Sequence, residues 1–265
     1  MKEKIKVLVI GDGCKDVFKY GKCDRLSPEA PVPVFKPLRD KSNGGMAVNV
    51  YNNLRALEVE TDIHTYSGIT KIRYIDEVSN QMLLRVDEND MIFVGPNIYD
   101  RQMAYDYTKY DAIVISDYDK GYLSQELIQH IASKHPLTFM DTKKKLGDWA
   151  KNIRFIKINE KEFNENVSNN FIMEYAGDLI VTKGKRGAEL LSDDDNLVRI
   201  EKFEIEEEHP VRDLSGAGDT FLAALVADYI KNNDIRSAIK FANKCASWVV
   251  TQKGVVVVDL SKVNL

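Results

Sequence analysis

The chain has 265 residues, of which 44% are hydrophobic and 29% charged, and its formal net charge is -4. That length holds one large hydrophobic core with at most a small appended piece, and that composition belongs to folded rather than disordered chains. The negative balance excludes broad attraction to nucleic acid or an anionic membrane, which need Lys and Arg gathered on one face, and leaves small molecules as the expected partners.

The opening MKEKIKVLVIGDG carries a short apolar run that leads straight into Gly11-Asp12-Gly13, without the small-residue cleavage site of a signal peptide. No apolar run nears the roughly 20 residues that cross a bilayer, so the expected location is the cytoplasm. Ile5 to Ile10 reads as a buried parallel strand closed by the Gly-Asp-Gly turn, and ligands collect at such strand ends. Arg25 to Pro37 holds four prolines among valines, which bars the interior of a sheet and predicts extended edge or loop structure, the first part of a flap. Asn43-Gly44-Gly45 precedes apolar residues at three-and-four spacing from Ala47 to Leu57, which predicts an amphipathic helix whose N-terminus faces whatever the glycines admit.

Ile72 to Ile75 and Met82 to Val86 predict a hairpin that completes the flap, giving flap segments of about 14–40 and 70–88 on one domain spanning 1–265. Beyond Tyr110 the runs Ala112 to Ile115, Leu137 to Met140, Ile153 to Ile158 and Leu179 to Val181 alternate with helical stretches at Leu123 to Ser133 and Glu160 to Asn166. This is the alternation of an α/β fold with a mostly parallel sheet covered by helices on both faces. Ala217 to Ile230 and Ile235 to Val250 predict two further helices against that sheet. The acidic runs Asp193-Asp194-Asp195 and Glu206-Glu207-Glu208 read as solvated turns. Cys14, Cys23 and Cys245, odd in number and without CxxC spacing, read as reduced thiols.

The segment Asp213-Leu214-Ser215-Gly216-Ala217-Gly218-Asp219-Thr220-Phe221 carries the sharpest chemistry: small residues open a helix, with a carboxylate in its first turn. Free backbone N–H groups and the positive end of the helix dipole can stabilise charge on a transferred phosphoryl group, and Asp219 can accept the proton of an attacking hydroxyl. An acidic residue complementing the dipole for stability alone fits the same spacing. No GxxxxGK[ST] motif is present, so a P-loop nucleotide site is excluded.

This segment resembles the C-terminal signature of the ribokinase, or PfkB, family of carbohydrate kinases, and Asn43-Gly44-Gly45 with Asn49 resembles its N-terminal signature. Arg25-Leu26-Ser27-Pro28-Glu29-Ala30-Pro31-Val32-Pro33-Val34 is similar to a segment of the heptose 7-phosphate kinase half of bifunctional ADP-heptose synthesis enzymes. Ser116-Asp117-Tyr118-Asp119-Lys120-Gly121, Asn159-Glu160-Lys161-Glu162 and Asn80 to Asp87 resemble that subfamily too, so the likeness covers nearly the whole chain.

The resemblance implies a ribokinase-like fold with a β flap, a sugar kinase using ATP and magnesium, and a lipopolysaccharide-precursor route in which a separate nucleotidyltransferase follows. It implies Asp219 as base, with the amides of Gly216, Ala217 and Gly218 as anion hole. It places sugar hydroxyls against Asp12, Asp16, Asn43, Gly44, Gly45 and Asn49. Taken alone, Asp12 could merely end a strand and Asn43 merely cap a helix. Asn159 and Glu162 match an NxxE motif that supports magnesium through water, within an ATP-facing Asn159-Glu160-Lys161-Glu162. The same Asn and Glu also fit ordinary helix capping. Thr182, Lys183, Gly184 and Asn243 border the nucleotide by resemblance. Arg25, Lys71, Arg73 and Arg85 are the cations available for a phosphate already on the sugar.

Between Thr65 and Ile72 the chain passes almost directly to the flap where the family inserts helix and strand, a shortening beside the sugar pocket. None of the four histidines sits in an HxGH motif, so only the kinase half is represented. The leading expectation is a kinase acting on heptose 7-phosphate; a kinase for another sugar and a non-catalytic sugar- or nucleotide-binding homologue compete with it. An oxidoreductase carries little weight because GxGxxG is incomplete after the first strand. Open flap edges also suggest a homodimer contact.

Overall fold

Val7, Leu8, Val9 and Ile10 are all buried, Val7 and Val9 in one apolar core and Leu8 and Ile10 in another. A strand with side chains hidden on both faces must lie in the middle of a layered sheet, and that is why its sequence is a continuous apolar run instead of an alternating one. The computed structural model describes residues 5–167, 171–194, 197–206 and 210–263. Among them the strands are β1 (Lys6–Lys22), β2 (Lys36–Met46), β3 (Glu60–Asp76), β4 (Met82–Glu88), β5 (Ala112–Asp117), β6 (Thr138–Thr142), β7 (Phe155–Asn159), β8 (Asp178–Thr182), β9 (Ala188–Asp194) and β10 (Leu197–Phe203). The helices are α1 (Ala47–Ala56), α2 (Pro96–Met103), α3 (Gln125–Lys134), α4 (Glu160–Asn166), α5 (Phe171–Glu174), α6 (Ala217–Asn232) and α7 (Ile235–Val249).

The sheet runs β10-β9-β8-β7-β6-β5-β1-β3-β4, with β2 on the other side of the outer half of β1. Neighbours from β8 through β3 are parallel, while β9, β10, β4 and β2 join antiparallel. Helices α1, α6 and α7 supply one core; α2 and α3 flank the other. The expected ribokinase-like α/β architecture is therefore present, and the predicted strands and helices beyond residue 110 fall where the periodicity places them.

The first strand does not close at Gly11-Asp12-Gly13 but continues to Lys22. A Cβ on Gly11 would stand 1.9 Å from the Ser116 carbonyl oxygen, so this glycine admits a close backbone approach between β1 and β5 and does not make a turn. The register with β3 slips between Asp12 and Cys14, which bends the pair away from the central sheet. Beyond that bulge β1 and β3 become the middle of a four-stranded flap ordered β2-β1-β3-β4; residues 23–35 form the loop outside it, with one isolated bridge from Leu26 to Pro33, while Lys36 and Pro37 already belong to β2. β3 crosses from sheet to flap without a break, so no helix or strand is inserted between Thr65 and Ile72. Sequence periodicity missed α2, a single short helix opened by Pro96, and the β9–β10 hairpin, whose end takes in Asp193 and Asp194 of the acidic run. Asp195, Glu207 and Glu208 lie outside the described residues.

Among the described residues no helix is long and apolar enough to cross a membrane. Phe139 on β6 is fully buried, stacked on Phe155 of β7 at 4.8 Å and met edge-on by Tyr229 of α6 at 5.6 Å. It therefore holds α6 against the sheet, and Phe139→Ala should cost about 3–5 kcal/mol. Urea unfolding should show this as a lower midpoint at unchanged slope.

Candidate active site

Asp219 sits in the first turn of α6 and is only 4% exposed. The preceding Gly216 has φ 82°, a left-handed conformation that suits glycine and turns the chain into the helix. The N–H groups of Gly216 and Gly218 make no backbone hydrogen bond among the described residues, whereas that of Ala217 donates to the Leu214 carbonyl at 3.3 Å. Two unspent donors at a helix N-terminus make a turn that can bind an anion.

Two other elements grip the carboxylate. The Asn49 amide on α1 donates to Oδ2 at 3.0 Å, and the Tyr118 phenol donates to Oδ1 at 2.5 Å. Asn53, one turn along α1, fixes the Asn49 amide by donating to its Oδ1 at 3.1 Å, and is itself anchored by the Val258 N–H at 2.9 Å. Burial pushes the Asp219 carboxyl up to about 6, and Asp141 adds to the rise; Tyr118, Asn49 and Lys157 oppose it. Lys157 on β7 and Asp141 on β6 form a buried pair at 2.7 Å. The Lys157 ammonium lies directly under the turn, since a Cβ on Gly218 would stand 3.0 Å from Nζ. None of Tyr118, Asn53, Asp141 or Lys157 was singled out from sequence as a site residue, because each matters only through contacts with segments far along the chain.

Asp12 is buried, and its carboxylate accepts the N–H groups of Tyr118 at 2.7 Å, Lys120 at 3.2 Å and Tyr122 at 3.1 Å. It is committed to the loop after β5, which is what aims Tyr118 at Asp219. Asp16 bonds Arg73 at 2.5 Å, and a Cβ on Gly45 would strike its Oδ2 at 2.0 Å, so that glycine lets the carboxylate lie against the backbone. Gly44 and Gly45 lie in the last residues of β2, paired with β1, and not in a loop. The Asn43 amide donates to the Val255 carbonyl, leaving its Oδ1 buried without a hydrogen-bond partner among the described residues. Lys71 lies 5.7 Å from the Tyr118 ring. Arg25 is exposed on the outer loop and lines neither cavity.

The segment 213–218 separates two cavities. One, of about 260 Å³, is mainly apolar, with Ile205, Val211, Leu214, Phe221 and Val250 around Thr182, Gly184, Asn243 and Ser247. Ser247 Oγ is buried there without a hydrogen-bond partner among the described residues, a pointer to a polar ligand atom. Asn243 is held by the Phe203 carbonyl at 2.9 Å, and Lys183 is drawn off into an ion pair with Glu189. The other cavity, of about 290 Å³, lies between flap and turn and is lined by Phe18, Tyr20, Arg73, Arg85, Ser215 and Gly254 among others.

Asn159 and Glu162 make a capping box: Asn159 Oδ1 accepts the Glu162 N–H at 2.9 Å and Glu162 Oε2 accepts the Asn159 N–H at 2.8 Å. Glu162 Oε1 pairs with Lys143, which also lies 3.8 Å from Asp141. Glu160 turns to Arg186 at 2.5 Å and the Lys161 side chain is 85% exposed, and neither lines either of these two cavities. Among the described residues no three His, Cys, Asp or Glu side chains are grouped to hold a metal. Asp141 Oδ1 has no hydrogen-bond partner among the described residues. This donor set fits a magnesium ion carried mostly by phosphate and water, not one in a protein cage.

Two predictions follow from these contacts. The Asp219 carboxyl should titrate near pH 6 by carbon NMR, and Tyr118→Phe, which removes a bond to the charged form, should raise that value. Asp12→Ala should strip three N–H groups of their acceptor and lower the unfolding midpoint by more than a surface change does, at a cost of about 2 kcal/mol or more.

Residues 82–261 match the model of the pfkB family of carbohydrate kinases. A bifunctional protein HldE from Nitratiruptor sp. is 30% identical over 311 aligned positions, covering 98% of this chain but 64% of the relative. The chain thus spans less than two thirds of that relative's length, and the alignment has more positions than the chain has residues, so the relative carries segments missing here. The ribokinase of Thermotoga maritima shares the fold with a TM-score of 0.72 at 14% identity, covering 96% of this chain and 97% of that one. The Arabidopsis thaliana ribokinase, solved in complex with ribose and ATP, gives 0.67 at 13% identity, covering 95% and 94%. With its family model matched over most of its length and its fold shared with ribokinases, the chain belongs to the pfkB family of carbohydrate kinases.

Proposed function

We propose that this chain transfers the γ-phosphoryl group of ATP to a hydroxyl of a sugar phosphate, with heptose 7-phosphate as acceptor and its 1,7-bisphosphate as product. The observation that carries the reading is the buried Asp219 carboxylate beside unspent helix amides, on a turn with one cavity to either side. The apolar cavity takes the adenosine; Thr182, Gly184, Asn243 and Ser247 border it. The flap cavity takes the sugar, with Asp16 and Asn49 near its hydroxyls. The HldE name of the relative supports a heptose acceptor, and the nucleotide in the Arabidopsis ribokinase supports ATP.

In the reaction the acceptor hydroxyl displaces the Tyr118 phenol from Asp219 and gives its proton to that carboxylate. The freed oxygen pair bonds to the γ-phosphorus as the bond to the bridging oxygen breaks, and ADP leaves with that electron pair. The Gly216 and Gly218 amides, with Lys157 behind them, stabilise the charge on the transferred group. Magnesium, held by the nucleotide phosphates with Asn159, Glu162 and Asp141 reached through water, would neutralise charge between the phosphates. The exposed edges of β2 and β4 suit pairing with a second copy, a cytoplasmic location suits the substrates, and a separate nucleotidyltransferase would use the product.

ADP release from Mg-ATP should be measured across heptose 7-phosphate, fructose phosphates, free hexoses, ribose and nucleosides. Turnover confined to heptose 7-phosphate is the expected result; turnover on another sugar moves the substrate, and ligand binding without any turnover removes the kinase assignment. Asp219→Asn should retain ATP binding and lose most of kcat, by roughly a hundredfold or more. The wild-type rate should fall as pH drops through about 6, because only the ionised carboxylate accepts a proton.

A further inference from the structure

Of the four cations that sequence offers for a phosphate on the sugar, Arg73 and Arg85 line the flap cavity, yet both are already neutralised. Arg73 pairs with Asp16, and Arg85 gives Asp87 two parallel bonds of 2.7 Å each. Two further cations line the same cavity, Arg212 and Lys253, and neither makes an ion pair among the described residues. The one acidic residue in that lining, Asp213, spends its carboxylate on the N–H groups of Ser215 at 2.9 Å and Gly254 at 3.0 Å.

The backbone that carries Arg212 and Lys253 is fixed. The N–H groups of Arg212 and Asp213 both donate to the Val250 carbonyl, at 2.8 and 3.2 Å, and Asp213 ties its own loop to Gly254. The turn before α6 and the turn after α7 are thereby clamped together, and each contributes one unspent positive side chain to a cavity that also reaches Ser215 at the head of the anion-binding turn. At about 290 Å³ the cavity is at the small end of ligand-sized pockets, so an anion within it lies close to these charges.

We propose that Arg212 and Lys253 form the subsite for the phosphate monoester already present on the acceptor, and so set the choice of a phosphorylated sugar over a free one. This rests on the sugar-kinase reading above for the identity of the sugar, but not for the charge preference. Arg212 supplies a planar fork that can bind two phosphate oxygens, and Lys253 a point charge on the facing turn. Arg73 and Arg85 then shape the flap wall and hold Asp16 and Asp87 in place.

The test is calorimetric binding of heptose 7-phosphate and of free heptose to the full chain, at low and high salt, for wild type and variants. Wild type should prefer the phosphate ester. Arg212→Ala/Lys253→Ala should reduce that preference about tenfold or more while unfolding cooperatively, Arg212→Lys should keep part of it, and Arg85→Ala should reduce it less. Wild-type preference should weaken with salt. Equal binding of both sugars by wild type, or an unchanged ratio in the folded double variant, would overturn the subsite. A preference that disappears in the double variant, in a protein that never releases ADP, supports the subsite and defeats the kinase assignment, so the two can fail separately.

Discussion

The arrangement of the site hangs on a carboxylate that lines neither of the two cavities. Asp12, inside the sheet, accepts three backbone N–H groups of the loop after β5, and no water competes for them at 0% exposure. Hydrogen bonds to a buried charge are among the stronger ones, and a loop so bound has little freedom. The Tyr118 phenol is delivered to Asp219 by that loop, while Asn49 is delivered by a helix braced through Asn53. Two segments far apart in sequence thus converge on one buried carboxyl carried by a third. Their hydrogen bonds offset part of a desolvation that would otherwise hold it protonated well above its ordinary range.

The same economy governs the flap. β1 and β3 are each 17 residues long and serve two structures, parallel core strands at one end and flap strands at the other. The bulge between Asp12 and Cys14 is where one becomes the other. Because β3 makes this passage without interruption, the flap is coupled to the sheet by continuous backbone, and Asp16 and Arg73 lie as partners on adjacent strands of it. A shortened connection therefore still leaves a cavity between flap and turn.

Much of the fold was legible because it depends on local pattern. The buried strands β5 to β8 announce themselves as apolar runs, and α6 and α7 as amphipathic stretches, each within two residues of its predicted bounds. Gly11-Asp12-Gly13 misled because glycine signals a turn and a close backbone approach alike, and only the neighbouring strand tells them apart. The Asp219 turn was legible in its small residues, and Asn49 through its family signature. Tyr118, Lys157, Arg212 and Lys253 were not assigned roles, since what distinguishes them is the company that topology brings. In the case of the last two it is also the absence of a neutralising partner among the described residues.

The Lys157–Asp141 pair shows why such residues matter. Both are 4% or less exposed, and a buried ion pair of this kind adds little net stability because desolvation consumes most of the attraction. Apolar residues of similar size would hold β6 to β7 at least as well. What they would not do is keep a cation beneath Gly218, where the turn that opens α6 has two amides to spare. Lys143 repeats the logic one step outward, set between Asp141 and Glu162 with its ammonium held above its ordinary range: burial works against the charge, and these two carboxylates outweigh it. Two lysines that share Asp141, one of them paired with Glu162 as well, are held in place by fixed carboxylates before any ligand arrives. Such preorganisation is what phosphoryl transfer draws on, because the protein need not reorient as charge builds on the moving group.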